Sequence, residues 1–142
     1  MRWFLPGFVM FLTLAGCSPR AAAPASEVSV VYEKTGGFMP FNDRFVVRGD
    51  GSLAYTDRKK STRTGKVAPA DLQHLRLLLA SREFQDAVAE YRAKGGADLV
   101  THRIEATIDG RTKTVLWETG APAPAVVEQV IAELEKLALR VE

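Results

Sequence analysis

Cysteine is almost absent from this chain: Cys17 is the only one in 142 residues. A disulfide within the chain is therefore excluded, and so is a zinc site built on paired cysteines. Histidine is nearly as scarce. His74 and His102 stand alone, in neither an H-x-x-x-H nor an H-x-H pair, and each is read as a surface or partly buried side chain. Zinc does accept two histidines completed by carboxylates, so that site stays open as an alternative, but no metal and no cofactor is expected. An excess of one charge is also missing, since 19 Lys and Arg face 17 Asp and Glu for a net +2. A nucleic-acid partner is not expected, because it needs a broad basic footprint. None of Ser26, Ser29, Ser52, Ser61 and Ser81 lies in a G-x-S-x-G turn, the setting of a hydrolase nucleophile. Ser52 follows Asp50-Gly51 and fits ordinary turn chemistry. The carboxylates are scattered singly, so an enzyme is not expected.

Long apolar runs are lacking too. A mature spanning helix needs about 20 apolar residues, and the longest run, Trp3 to Leu14, falls short of that. It follows Arg2 and ends in small residues before Cys17, the layout of a secretory signal. Leu14-Ala15-Gly16-Cys17 resembles the lipobox of bacterial lipoproteins. The resemblance implies cleavage before Cys17, a diacylglycerol on its sulfur, and an acyl chain such as palmitate on the new amine. Two or more chains anchor a protein durably to a membrane. Ser18 stands where the inner-membrane retention signal is usually Asp, so in a two-membrane cell the outer membrane is the expected destination. An ordinary signal peptide with an incidental cysteine is the alternative. The organisation expected is a signal over 1–16, a lipidated tether over 17–26, and a single domain over 27–142. The tether is small and Pro-punctuated, with nothing to bury.

Within the domain, Val28-Ser29-Val30-Val31-Tyr32 is β-branched and aromatic, which suits a strand. Residues 36–40, Gly-Gly-Phe-Met-Pro, break it. Two hairpins are expected, one of residues 44–48 and 53–57 around Gly49-Asp50-Gly51, the other of residues 100–108 and 111–118 around Asp109-Gly110. Asp-Gly favours tight hairpins because both residues tolerate positive φ. Val100, Ile104, Ala106 and Ile108 alternate with Arg103, Glu105 and Thr107, so one face is apolar. His102 falls on that face, where an imidazole needs a hydrogen-bond partner. Pro69 opens a helix carrying Leu72, Leu75, Leu78 and Leu79, with Asp71 near its positive end. Ser81 restarts a second helix that aligns Phe84, Val88 and Tyr91 and stops at Gly95-Gly96. Pro122 and Pro124 lead into a final helix whose stripe is Val127, Val130, Ile131, Leu134, Leu137, Ala138 and Val141. The fold class expected is α+β: a mostly antiparallel sheet of two hairpins plus an N-terminal strand, with helices packed on one face.

Two segments are candidates for binding. Large apolar side chains in a loop either fold back on the core or dock into a partner. Phe38, Met39 and Phe41 pose that choice beside Gly36 and Gly37, and Gly36, Gly37, Phe38 and Met39 form the candidate partner-binding set. The second segment holds Arg58, Lys59, Lys60, Arg63 and Lys66 within nine residues. It is either a solvated loop or a contact for anionic headgroups or a carboxylate-rich protein face.

At the first of these loops the chain resembles emfourin, a family of small bacterial protein inhibitors of thermolysin-like metalloproteases. The pattern is an initial strand running into Gly36-Gly37-Phe38, a leucine-spaced helix after Pro69, and Asp98 followed by Thr101-His102-Arg103-Ile104. It ends in a Pro-led helix carrying Val130-Ile131, Leu134 and Leu137. It covers most of residues 28–138, with Gly-Gly-Phe its distinctive piece. Met39-Pro40, the charged stretch over 43–66 and the leading lipobox depart from it. The resemblance implies an exported metalloprotease as partner and a protein that works by occluding a cleft, with no catalytic residues. The competing expectation is a structural or assembly lipoprotein of the envelope, using an exposed sheet face and the basic segment.

Overall fold

The computed structural model describes residues 28–141. Cys17, the lipobox and the tether lie outside them. Among the described residues the order of elements is β1 (Val28–Gly36), β2 (Phe41–Val47), β3 (Ser52–Thr56), β4 (Thr62–Lys66), α1 (Pro69–Ala80), α2 (Arg82–Asp86), β5 (Glu90–Tyr91), β6 (Val100–Ile108), β7 (Arg111–Glu118) and α3 (Ala125–Ala138). All the strands join one sheet in the order β4-β3-β2-β1-β6-β7-β5. Every pairing is antiparallel except β5 with β7.

The mixed α and β character and the mostly antiparallel sheet are as expected, but the sheet is larger than two hairpins and one strand. β1 runs four residues past Tyr32, and Gly36 pairs with Phe41, so residues 37–40 are a hairpin tip. The basic segment is no simple loop, because residues 62–66 form the edge strand β4. The second helix stops at Asp86, with Ala87 extended at ψ 140. Val88 and Tyr91 therefore share no helical face with Phe84. The chain turns instead into β5, where the Ala89 carbonyl accepts from Leu116 N–H at 2.8 Å and the Tyr91 hydroxyl accepts from Val88 N–H at 3.1 Å. Other elements match their patterns. Asp109 (φ 50) and Gly110 (φ 77) make the tight turn, Pro69 begins α1, and Pro124 caps α3.

The helices cover one face of the sheet. Val28, Val30, Tyr32, Phe45, Val47, Ile104, Ala106 and Val115 point inward and pack with Leu75, Leu79, Phe84, Val127, Val130, Leu134 and Leu137. Phe45, Phe84, Leu75, Leu79, Ile104 and Leu134 are fully buried, and each such side chain stabilises the fold by about 1.5–3 kcal/mol. Asp71 in the first turn of α1 accepts from Arg140 and lies 3.5 Å from Lys136, tying the start of α1 to the end of α3. The outward face is polar instead. Glu33 pairs with Arg44 (3.4 Å) and Arg103 (3.3 Å), and Arg103 with Glu105 (3.0 Å). Threonine hydroxyls bond across strands at 56 with 62 and at 107 with 112.

Candidate functional site

The strand registers decide which loops meet. β1 ends at Gly36 opposite Phe41 and Val100, and β3 ends at Thr56 opposite Thr62. Since β1 and β3 run the same way, the β1–β2 tip and the β3–β4 turn share one end of the sheet. Two strand spacings separate them, about 10 Å. The turns at 49–51 and 109–110 share the opposite end with Val28.

Gly36 and Gly37 shape the tip. Both are left-handed, at φ 84 and 89, and Gly37 N–H donates to the Leu99 carbonyl at 3.2 Å. A Cβ on Gly36 would lie 2.5 Å from that same carbonyl oxygen. Gly36→Ala combines this clash with a left-handed backbone cost of about 1–2 kcal/mol. The expected loss is at least about 2 kcal/mol, read as a lower midpoint in urea unfolding. Beyond the glycines, Phe38 is 87% exposed and Met39 62%. Phe38 does not fold back onto the core. Phe41 begins β2, with Lys34 Nζ 4.5 Å from its ring centroid.

The five basic candidates are divided by the fold. Arg58, Lys59 and Lys60 sit on the β3–β4 turn at the tip end, exposed. Arg63 lies on the inward face of β4 with its guanidinium 5.1 Å from the Tyr55 ring. Lys66 ends β4 at the opposite end, 4.0 Å from Asp50. A strand spreads its residues about 3.3 Å apart on alternating faces, so this segment cannot form one continuous patch.

A buried polar network lies between β1, β6 and α3. Tyr32 donates its hydroxyl proton to Glu135 Oε1 at 2.9 Å, and Lys34 Nζ donates to the same oxygen at 2.7 Å. With the Tyr32 proton committed there, its oxygen accepts from His102 Nδ1–H at 2.8 Å. His102 Nε2 then accepts from the Thr119 hydroxyl at 3.1 Å. This order fixes the neutral Nδ1–H tautomer. Trp117 lies against the imidazole, ring centroids 5.0 Å apart. Burial pushes His102 down to about 4 and, with the adjacent Glu135 carboxylate, pushes the Tyr32 hydroxyl far up. Burial alone would raise the Glu135 carboxyl, but the bonds from Lys34 and Tyr32 outweigh it and hold it below its ordinary value.

Among the described residues no buried side-chain N or O lacks a partner, so the network is satisfied within itself. No serine or cysteine stands in it as a nucleophile. His74 is exposed on α1 while His102 is interior. Among the described residues no group of three or more His, Cys, Asp or Glu is placed to hold a metal. Nor is any helix among them long and apolar enough to cross a membrane. The alternation along β6 puts His102 on the apolar face, but Tyr32, Lys34 and Glu135 carry no local sequence signal of their meeting.

What these elements define is an α+β domain that presents an apolar hairpin tip at one end of its sheet. No protein-family model matches the sequence, and no curated protein matches it closely enough to count as a relative.

Proposed function

We propose that this chain is a non-enzymatic, lipid-anchored protein of the bacterial envelope that binds and occludes the cleft of a thermolysin-like metalloprotease. The observation that carries the reading is the β1–β2 tip, where Phe38 stands 87% exposed on a backbone shaped by two left-handed glycines. An exposed aromatic on a short, narrow hairpin is suited to enter a cleft. Glycine lets the backbone approach a partner closely, and a large aromatic is a typical anchor of an interface. The likeness to emfourin at Gly36-Gly37-Phe38 supports the same assignment. Anchoring through Cys17 would concentrate the inhibitor against proteases at that surface.

The test is a titration of the mature chain into thermolysin, following peptide cleavage. Saturable inhibition near one-to-one is the expected result. Full protease activity in the presence of excess intact chain would sink the reading. A second reading, an assembly lipoprotein of the envelope without inhibitory activity, is favoured by the outward sheet face, which no helix among the described residues covers. In that case binding would depend on Glu33, Arg44 and Arg103, and the tip would be dispensable.

A further inference from the structure

Three cations stand beside the apolar tip with no partner. Lys34, Arg44, Arg82, Arg92, Arg103 and Lys136 all engage a carboxylate within 4.0 Å. Among the described residues, the side chains of Arg58, Lys59 and Lys60 engage none. The backbone of their turn is nonetheless hydrogen-bonded throughout. Asp57 Oδ1 accepts Lys59 N–H at 2.8 Å and Ser61 N–H at 3.0 Å, and Asp43 Oδ1 accepts Arg58 N–H at 3.0 Å. Lys60 takes φ 61 to close it. One oxygen of each carboxylate is thus bonded to the backbone of the turn, and the three cations are exposed. A depression lined by Met39, Phe41, Arg58 and Lys59, together with Asp43 and Asp57, joins the two tips.

We propose that the β1–β2 tip and the β3–β4 turn form one docking surface for a protein that carries an apolar pocket rimmed by carboxylates. Phe38 and Met39 enter the pocket, and Arg58, Lys59 and Lys60 meet the rim. This rests on the protease-binding reading and specifies the chemistry around the mouth of the target. Charge complementarity selects the rim, since unpaired cations attract carboxylates and speed the encounter. A bilayer with anionic headgroups offers similar charge, and the exposed Phe38 on a narrow hairpin tip commits the surface to a pocket in a protein.

The experiment uses the mature chain made without lipid as Cys17→Ser, titrated into thermolysin at low and high sodium chloride. Inhibition should weaken as salt rises. The variant Arg58→Gln, Lys59→Gln, Lys60→Gln should bind about tenfold more weakly at low salt and lose most of the salt dependence. Arg48→Gln with Arg111→Gln, at the opposite end, should leave inhibition as it was. If the triple variant inhibits like the parent while Phe38→Ala does not inhibit, the acidic rim is overturned and the inhibitor reading stands. If the parent itself fails to inhibit, the inhibitor reading falls and this inference with it. Vesicles of phosphatidylcholine with phosphatidylglycerol supply the last arm. Binding to them that is lost in the triple variant and in Phe38→Ala, without inhibition of thermolysin, would assign the surface to a membrane and overturn the proposal.

Discussion

Phe38→Ala is expected to weaken binding to a thermolysin-like protease by about a hundredfold or more, the scale of an aromatic hot spot. The fold should not notice the change. Phe38 is 87% exposed, so truncating it removes little contact within the domain, and surface substitutions away from special backbone positions usually stay within about 0.5 kcal/mol. The contrast with Phe45 makes the test sharp. Phe45 is 1% exposed in the core, where truncating an aromatic costs about 3–5 kcal/mol. A variant at 38 that melts like the parent but no longer inhibits assigns the tip to the interface. One that keeps full inhibition removes the tip from it, and the glycines would then serve only to turn the chain.

Much of this architecture is legible in the sequence because its main elements have strong periods. β6 alternates apolar and polar residues beside an Asp-Gly turn, and α3 carries a wide apolar stripe between a proline start and Ala138. β4 fails to announce itself for a physical reason. Its sequence, Thr-Arg-Thr-Gly-Lys, lies at the sheet edge, where Gly65 is the one position half covered, so no burial imposes an alternation. β5 is two residues long and held from the far strand β7, which leaves no period to read. The site was visible in pieces. Phe38 and the basic run are conspicuous by composition, yet only the pairing register puts the β1–β2 tip and the β3–β4 turn at one end.

The polar network was hidden by distance along the chain, since Tyr32 meets His102 across 70 residues and Glu135 across 103. Its consequence is a pH dependence of stability. His102 in the fold titrates near 4 against an ordinary 6.5, chiefly because burial disfavours the imidazolium. Glu135 works against this shift and Lys34 with it. Between those two values the unfolded chain holds the His102 proton and the folded chain does not, so unfolding takes up a proton and stability rises with pH. The contribution is complete above the ordinary value of 6.5 and shrinks as pH falls toward 4, by about 3 kcal/mol over the whole window. Below the ordinary Glu value of 4.5, protonation of Glu135 adds to the loss, because its carboxyl is held low by Lys34 and Tyr32. The upper part of the window therefore belongs to His102. Urea unfolding at about pH 7 and about pH 5 should give a clearly lower free energy at the acid value. In His102→Gln the absolute stability should fall, since Tyr32, Thr119 and Trp117 lose the shape they pack against. The difference between the two pH values should nearly vanish, because the proton uptake has gone. A slope that persists in His102→Gln would place the titration elsewhere and leave the network with a purely structural role. The same protonation lies beside Lys34, whose Nζ faces Phe41 at the base of the tip. Acid destabilisation is thus expected to reach the β1–β2 hairpin early, seen as lower protection factors for the Thr35 and Gly37 amides, after correction for the intrinsic exchange rate at each pH, while the core of α3 is still protected.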